Sequence, residues 1–169
     1  MENPLRSLLT LSCYYPPLLS PRSIQVQRTI ANLPAIGWNA TVLCGKPDTL
    51  WGKHDPELAQ IYPPVRERIE VSADPLLKKW YGRLLRLFPF VGRVPDRYLP
   101  WSLRAARVVL RKLKPGDFDA IATFGNPMSV HLAGVILRRA WKIPWIAHFS
   151  DPWVDNPYSE RHLFSDAVQ

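Results

Sequence analysis

Glycine is scarce where a nucleotide-binding loop would need it. The chain has 169 residues and eight glycines, none of them between Tyr14 and Leu33. The first apolar run is therefore not followed by a G-x-G-x-x-G, the spacing that brings a backbone close to a pyrophosphate, and Walker-type loops are absent as well. A dinucleotide-dependent dehydrogenase is set aside on that ground. The two cysteines, Cys13 and Cys44, lie far apart, each in or beside an apolar run. They read as buried small hydrophobes, with a disulfide left open. No clustered Cys/His spacing points to a metal, and no cofactor is expected. No apolar stretch approaches the ~20 residues of a membrane-spanning helix. Met1-Glu2-Asn3-Pro4 and the short apolar run behind it lack a basic n-region and a small-residue cleavage site. The expected location is the cytoplasm, free or peripheral on the inner face of the plasma membrane. No internal repeat is present.

What the chain has is a core, prolines and positive charge. Hydrophobic residues make up 47%, enough for one packed domain. The 18 prolines sit largely where apolar runs meet loops, as punctuation. Lys and Arg number 22 against 14 Asp and Glu, a net charge of +8. That sign suits an anionic partner, either nucleic acid, a phosphorylated ligand or a membrane surface, or serves solubility alone.

Continuous apolar runs mark the strands. Leu8–Cys13, Thr41–Cys44, Phe118–Phe124 and Pro144–Phe149 read as strands buried on both faces, and Arg66–Val71 as a short strand at an edge. Ser20-Pro21-Arg22-Ser23 signals a helix from about Ser23 to Ile36, shortened or kinked at Pro34 and stopped by Gly37. Leu76–Phe88 reads as an amphipathic helix. Ser102 is expected to cap a helix over Leu103–Lys114, with Leu103, Ala106, Leu110 and Leu113 facing the core. Asn126-Pro127 is expected to open a last helix that runs to about Trp141. The alternation predicts an α/β fold: a Rossmann-like open parallel sheet with helices on both faces.

In such a sheet ligands bind outside the carboxyl ends of the strands. Three loops should converge there, Tyr14–Ser23, Gly125–Ser129 and Ser150–Asn156. They offer Ser20, Arg22, Asn126 and Ser129 as groups to hold a sugar hydroxyl or phosphate, alongside ordinary capping roles, Tyr15 as a further acceptor-binding residue, and Trp153 as an apolar wall to stack on a sugar ring or else a core residue. Asp151 is the candidate catalytic residue, a general base if burial raises its pKa, or else a cap of the following turn. His131 and His148 read as packed residues. A second group is basic: Lys79, Arg83, Arg86, Arg104, Arg107 and Arg111, interleaved with aromatic and apolar residues. This pattern suits an anionic membrane surface or a merely solvated helix face. No nucleic-acid motif accompanies the charge, so nucleic acid is not expected as a partner.

Together these segments resemble a family. The opening strand with Tyr14-Tyr15-Pro16-Pro17, the helix into Gly37-Trp38-Asn39-Ala40-Thr41-Val42-Leu43, Pro95-Asp96-Arg97-Tyr98-Leu99-Pro100-Trp101, Phe118-Asp119-Ala120-Ile121 before Asn126-Pro127, and Pro144-Trp145-Ile146-Ala147 before Asp151-Pro152-Trp153 are similar, in order and spacing, to the N-terminal domain of GT-B glycosyltransferases of the family-4 type. The resemblance implies that residues 1–169 are the acceptor-side half of such an enzyme, taking a sugar or lipid-linked acceptor, with Asp151 and the Tyr14–Ser23 loop in the cleft. It implies a nucleotide sugar only together with a C-terminal donor-binding domain. That domain and its paired-glutamate motif are not found in these residues, so the chain is expected to be inactive alone. The alternative is a non-catalytic membrane- or partner-binding module that reuses the fold. The family's first loop usually carries several glycines, where this chain has Pro17-Leu18-Leu19-Ser20-Pro21.

Overall fold

An unbroken apolar strand needs cover on both faces, and the chain supplies it. A computed structural model describes residues 4–50, 52–72, 80, 83, 84, 87 and 96–150. Five strands, β1 (Arg6–Ser12), β2 (Trp38–Gly45), β3 (Glu67–Val71), β4 (Ala120–Phe124) and β5 (Trp145–His148), form one sheet in the order β3-β2-β1-β4-β5. Every pairing is parallel, and Leu9 of β1 stands between Thr41 and Ile121. One face packs Leu9, Leu11, Leu43 and Ile121 against α2 (Leu99–Lys112) and α3 (Val130–Trp141). The other packs Leu8, Val42, Ala122 and Phe124 against α1 (Pro21–Ala31). The sheet is therefore Rossmann-like and doubly covered, as its sequence pattern predicts. Cys13 belongs to the first core and Cys44 to the second, and both are free thiols.

Boundaries depart from the sequence pattern where another segment intervenes. Helix α1 begins at Pro21 with Ser20 as its cap, Ser20 Oγ accepting from the Ser23 N–H at 3.0 Å. It ends at Ala31, and Pro34 allows only a 3₁₀ turn over Leu33–Ile36 before Gly37, at φ +82°, breaks the path. Helix α2 starts three residues before Ser102, with Pro100 in its first turn, a position where a missing N–H costs nothing. Its start is set by Asp96. One carboxylate oxygen accepts from the Tyr98 N–H and the other from the Ser129 N–H ahead of α3, both at 2.8 Å. Ser102 is thus not a cap. It is fully buried and shares a 2.9 Å hydrogen bond with Ser129. Trp101 donates its indole N–H to the Val71 carbonyl at 3.0 Å and ties α2 to β3.

The core stripe of α2 also differs. Trp101, Ala105, Ala106 and Val109 face inward, while Leu103 and Leu110 are exposed at 45% and 42%. Helix α3 starts at Val130, because Asn126 adopts φ +60° and cannot serve as an N-cap, and it ends at Lys142 in the left-handed region. Strand β5 is an edge among the described residues, half-exposed, with Ile146 at 59%. Most of the helix expected over Leu76–Phe88 lies outside the described residues, as do Lys79 and Arg86. Trp80, Arg83, Leu84 and Leu87 are helical and exposed, and the Arg83 guanidinium sits 5.3 Å from the Trp80 ring centre.

His131 of α3 is buried against the sheet. Its Nδ1 shares a 2.8 Å hydrogen bond with Thr123 Oγ1, which also accepts the Trp145 indole N–H at 2.9 Å. Burial lowers its pKa to about 4, helped by the charge of Arg22 and by His148.

Two expectations follow from these contacts. Replacing Asp96 by Ala frees two N–H groups that now meet a carboxylate. It should lower urea-measured stability by about 2–4 kcal/mol, with Asn restoring part of the loss. For His131 the folded value lies below the ordinary 6.5, so its contribution is full above pH 6.5 and is lost as pH falls toward 4. The free energy of unfolding should drop across that window by up to about 3 kcal/mol, and H131N should flatten this part of the profile.

Candidate functional site

The strand order reverses at β1, which lies between β2 and β4, and a sheet splays open above the carboxyl ends at such a point. A cleft of about 940 Å³ occupies this place. Its walls come from the loop after β1 (Tyr14), the start and one side of α1 (Ser20, Arg22, Gln25, Arg28, Asn32), the loop after β4 (Asn126) and the residue behind β5 (Ser150).

The first wall is braced rather than glycine-rich. Leu19 donates its N–H to the Lys53 carbonyl at 2.8 Å, and Asp55 donates to the Pro17 carbonyl at 2.7 Å. The neighbouring 53–55 segment thus fastens the loop in place. Tyr14 stands beside Tyr98, hydroxyl to hydroxyl at 2.8 Å and ring edge to face. Burial, then that hydrogen bond, raises its pKa well above the usual phenol value, so Tyr14 presents a neutral hydroxyl. On the second wall Arg22, only 6% exposed, is held by Gln25 Oε1 at 2.6 Å and by Ser150 Oγ. It ties α1 to the end of β5. The third wall begins at Gly125, whose N–H meets the His148 carbonyl at 2.9 Å. A side chain at Gly125 would press on His131 Nε2 at 2.6 Å, so this turn depends on glycine.

The cleft collects Ser20, Arg22 and Asn126, as the sequence suggests. Ser20 is already engaged as the α1 cap. Tyr15 and Ser129 are placed elsewhere. Tyr15 belongs to the core on the α1 face, in one cluster with Val26 and Cys44, its ring 5.6 Å from the Arg68 guanidinium, and burial raises its pKa to about 12. Ser129 is sealed between the helices by Ser102 and Asp96. Asp151 and Trp153 follow Ser150 and lie outside the described residues. Gln25, Arg28, Thr29 and Asn32 were missed. Gln25, Arg28 and Thr29 recur at helical spacing on α1, with Asn32 just past its end, and that polar stripe beside the first loop is the available signal. Hydroxyls, amides and guanidinium groups make a surface for a hydroxylated, polar ligand. Among the described residues no three His, Cys, Asp or Glu side chains are grouped to hold a metal.

Comparison with known proteins agrees with this architecture. The C-terminal domain of a hydrogenase from Pyrococcus furiosus superposes with a TM-score of 0.50 over 87% of this chain and 93% of its own, at 14% identity. That likeness speaks for the fold alone. No curated protein matches the chain in sequence. The glycosyl transferase 4-like domain matches residues 23–168, from the first turn of α1 onward, and the chain therefore belongs to that family, the N-terminal domain of GT-B glycosyltransferases.

Proposed function

We propose that the cleft is the acceptor side of a sugar-transfer site, and that a nucleotide-sugar donor is held opposite it by a second, C-terminal Rossmann-like domain. The chain is a glycosyltransferase-type module. The observation that carries the finer reading is the meeting of Tyr14, Ser20, Arg22, Asn126 and Ser150 around one cleft at the reversal of strand order. These groups would orient the hydroxyls of a sugar or lipid-linked acceptor. Asp151, next in sequence to Ser150, would take the proton of the attacking hydroxyl as its oxygen bonds to the anomeric carbon. The nucleotide diphosphate leaves with the electrons of the broken bond, and Trp153 supplies an apolar wall for a ring. Without the donor domain no transfer is expected.

A membrane role has its own observation. Leu103, Arg107, Leu110 and Arg111 recur on the exposed side of α2, so leucines expected in the core stand beside arginines at the surface. Such a face suits an anionic bilayer, where each exposed Arg contributes roughly 1 kcal/mol. No helix among the described residues is long and apolar enough to cross a membrane.

In a protein joined to its donor domain, D151N should lower turnover by about 10²–10⁴-fold with little change in KM. Unchanged turnover removes Asp151 from the catalytic role. Sedimentation with phosphatidylglycerol vesicles should retain the chain, and the double variant R107Q/R111Q should weaken binding about tenfold or more. Equal binding to phosphatidylcholine would remove the electrostatic membrane role.

A further inference from the structure

We infer that the acceptor is a chain of at least three sugars laid along α1, with its reacting end beside Ser150 and its body running toward Asn32. The inference rests on the acceptor reading of the cleft and narrows its substrate class. The lining does not stop at the strand ends. Pro21, Ile24, Gln25, Arg28, Thr29 and Asn32 recur at steps of three and four, so one side of α1 meets the cleft from its first turn to its C-cap. Arg22 touches Ser150 at the upper end, and Asn32 lies about 15 Å further along the helix axis. No single sugar ring reaches from one to the other. The volume of about 940 Å³ also stands near the top of the roughly 300–1,000 Å³ range of small-molecule sites.

The chemistry of this side suits sugars. Gln25 accepts from Arg22 through Oε1, which leaves its amide N–H groups for a ligand. Thr29 gives its hydroxyl proton to the Gln25 carbonyl at 2.8 Å and keeps its oxygen lone pairs. Asn32 donates its amide to the Arg28 carbonyl at 2.7 Å and keeps its side-chain carbonyl. These local bonds hold the three side chains in place, so less rotamer freedom is lost when a ligand arrives. Ile24, 41% exposed, sets an apolar group among them. A sugar ring has a polar rim and an apolar C–H face, and a sugar chain repeats both along its length. An aliphatic tail would cover the amides and the hydroxyl without pairing them, at a cost in free energy. In the acceptor reading Asp151 follows Ser150 at the upper end. The attacking hydroxyl belongs there, and the preceding sugars lie down the helix.

The test is binding of the full chain to an array of immobilised glucose, galactose, mannose, rhamnose and N-acetylglucosamine oligomers of one to five sugars. They are attached through their reducing ends, which leaves free the end that would meet Ser150. For at least one sugar type, affinity should rise about tenfold or more from one unit to three and change little beyond. T29W and N32W place a bulky ring on the lower half of the groove, and each should abolish most of that gain with length. Both positions are exposed, and urea midpoints check that the variants fold. Equal affinity for one sugar and for three overturns the inference and leaves the acceptor reading standing. A gain with length that neither variant reduces overturns the assignment to the α1 side of the cleft. No binding at any spot overturns the inference and takes the acceptor reading with it.

Discussion

One carboxylate aligns the covered face of the sheet. Asp96 accepts the Tyr98 N–H ahead of α2 and the Ser129 N–H ahead of α3, so two helix starts share a single anchor. The N-terminal N–H groups of a helix have no partner within it, and a carboxylate there also meets the positive end of the dipole. Three further contacts depend on this anchor. Ser102 and Ser129 meet between the helices, Trp101 reaches the Val71 carbonyl, and Tyr98 reaches Tyr14 at the rim of the cleft. The Asp96–Trp101 segment is thus the joint through which the helices, the β3 edge and the cleft wall are held in one arrangement.

The two faces of the sheet do different work. The face under α2 and α3 is packed with small residues, Ala105, Ala106 and Ala133, which let the helices come close to the sheet and to each other. The other face carries a single helix, α1, whose inner side packs Val26 and Ile30 while the side toward the cleft is polar. One helix therefore serves both core and site. Its register is set by Ser20 and Pro21 at one end and Gly37 beyond the other. The Arg22 bridge to Ser150 then carries that register across to the end of β5.

The strands were legible because β1, β2 and β4 are buried on both faces, and only apolar runs satisfy that demand. Helix starts were not. Ser102 has the sequence mark of a cap, but the helix already begins at Leu99, so Ser102 lies inside it and its hydroxyl turns to Ser129 instead. The stripe on α2 was misjudged for a related reason. Leu103 and Leu110 have the right period, yet so do Trp101, Ala105 and Val109, and it is this second set, with Ala106, that is buried. Tyr14 and Tyr15 are neighbours of identical type, so only the turn geometry decides that Tyr14 faces the cleft and Tyr15 the core. The convergence of loops was readable from topology. The polar stripe of α1 was readable in principle from its period.

The braced loop after β1 has a consequence for how a ligand is received. In a glycine-rich loop the backbone samples many shapes, and a ligand must select one of them at an entropic cost. Here prolines at 16, 17 and 21 restrict the backbone, and the Lys53 and Asp55 contacts fasten the bend. The rim is set before anything arrives. Discrimination at this wall should then come from shape and charge that are already in place, with little reshaping of the loop.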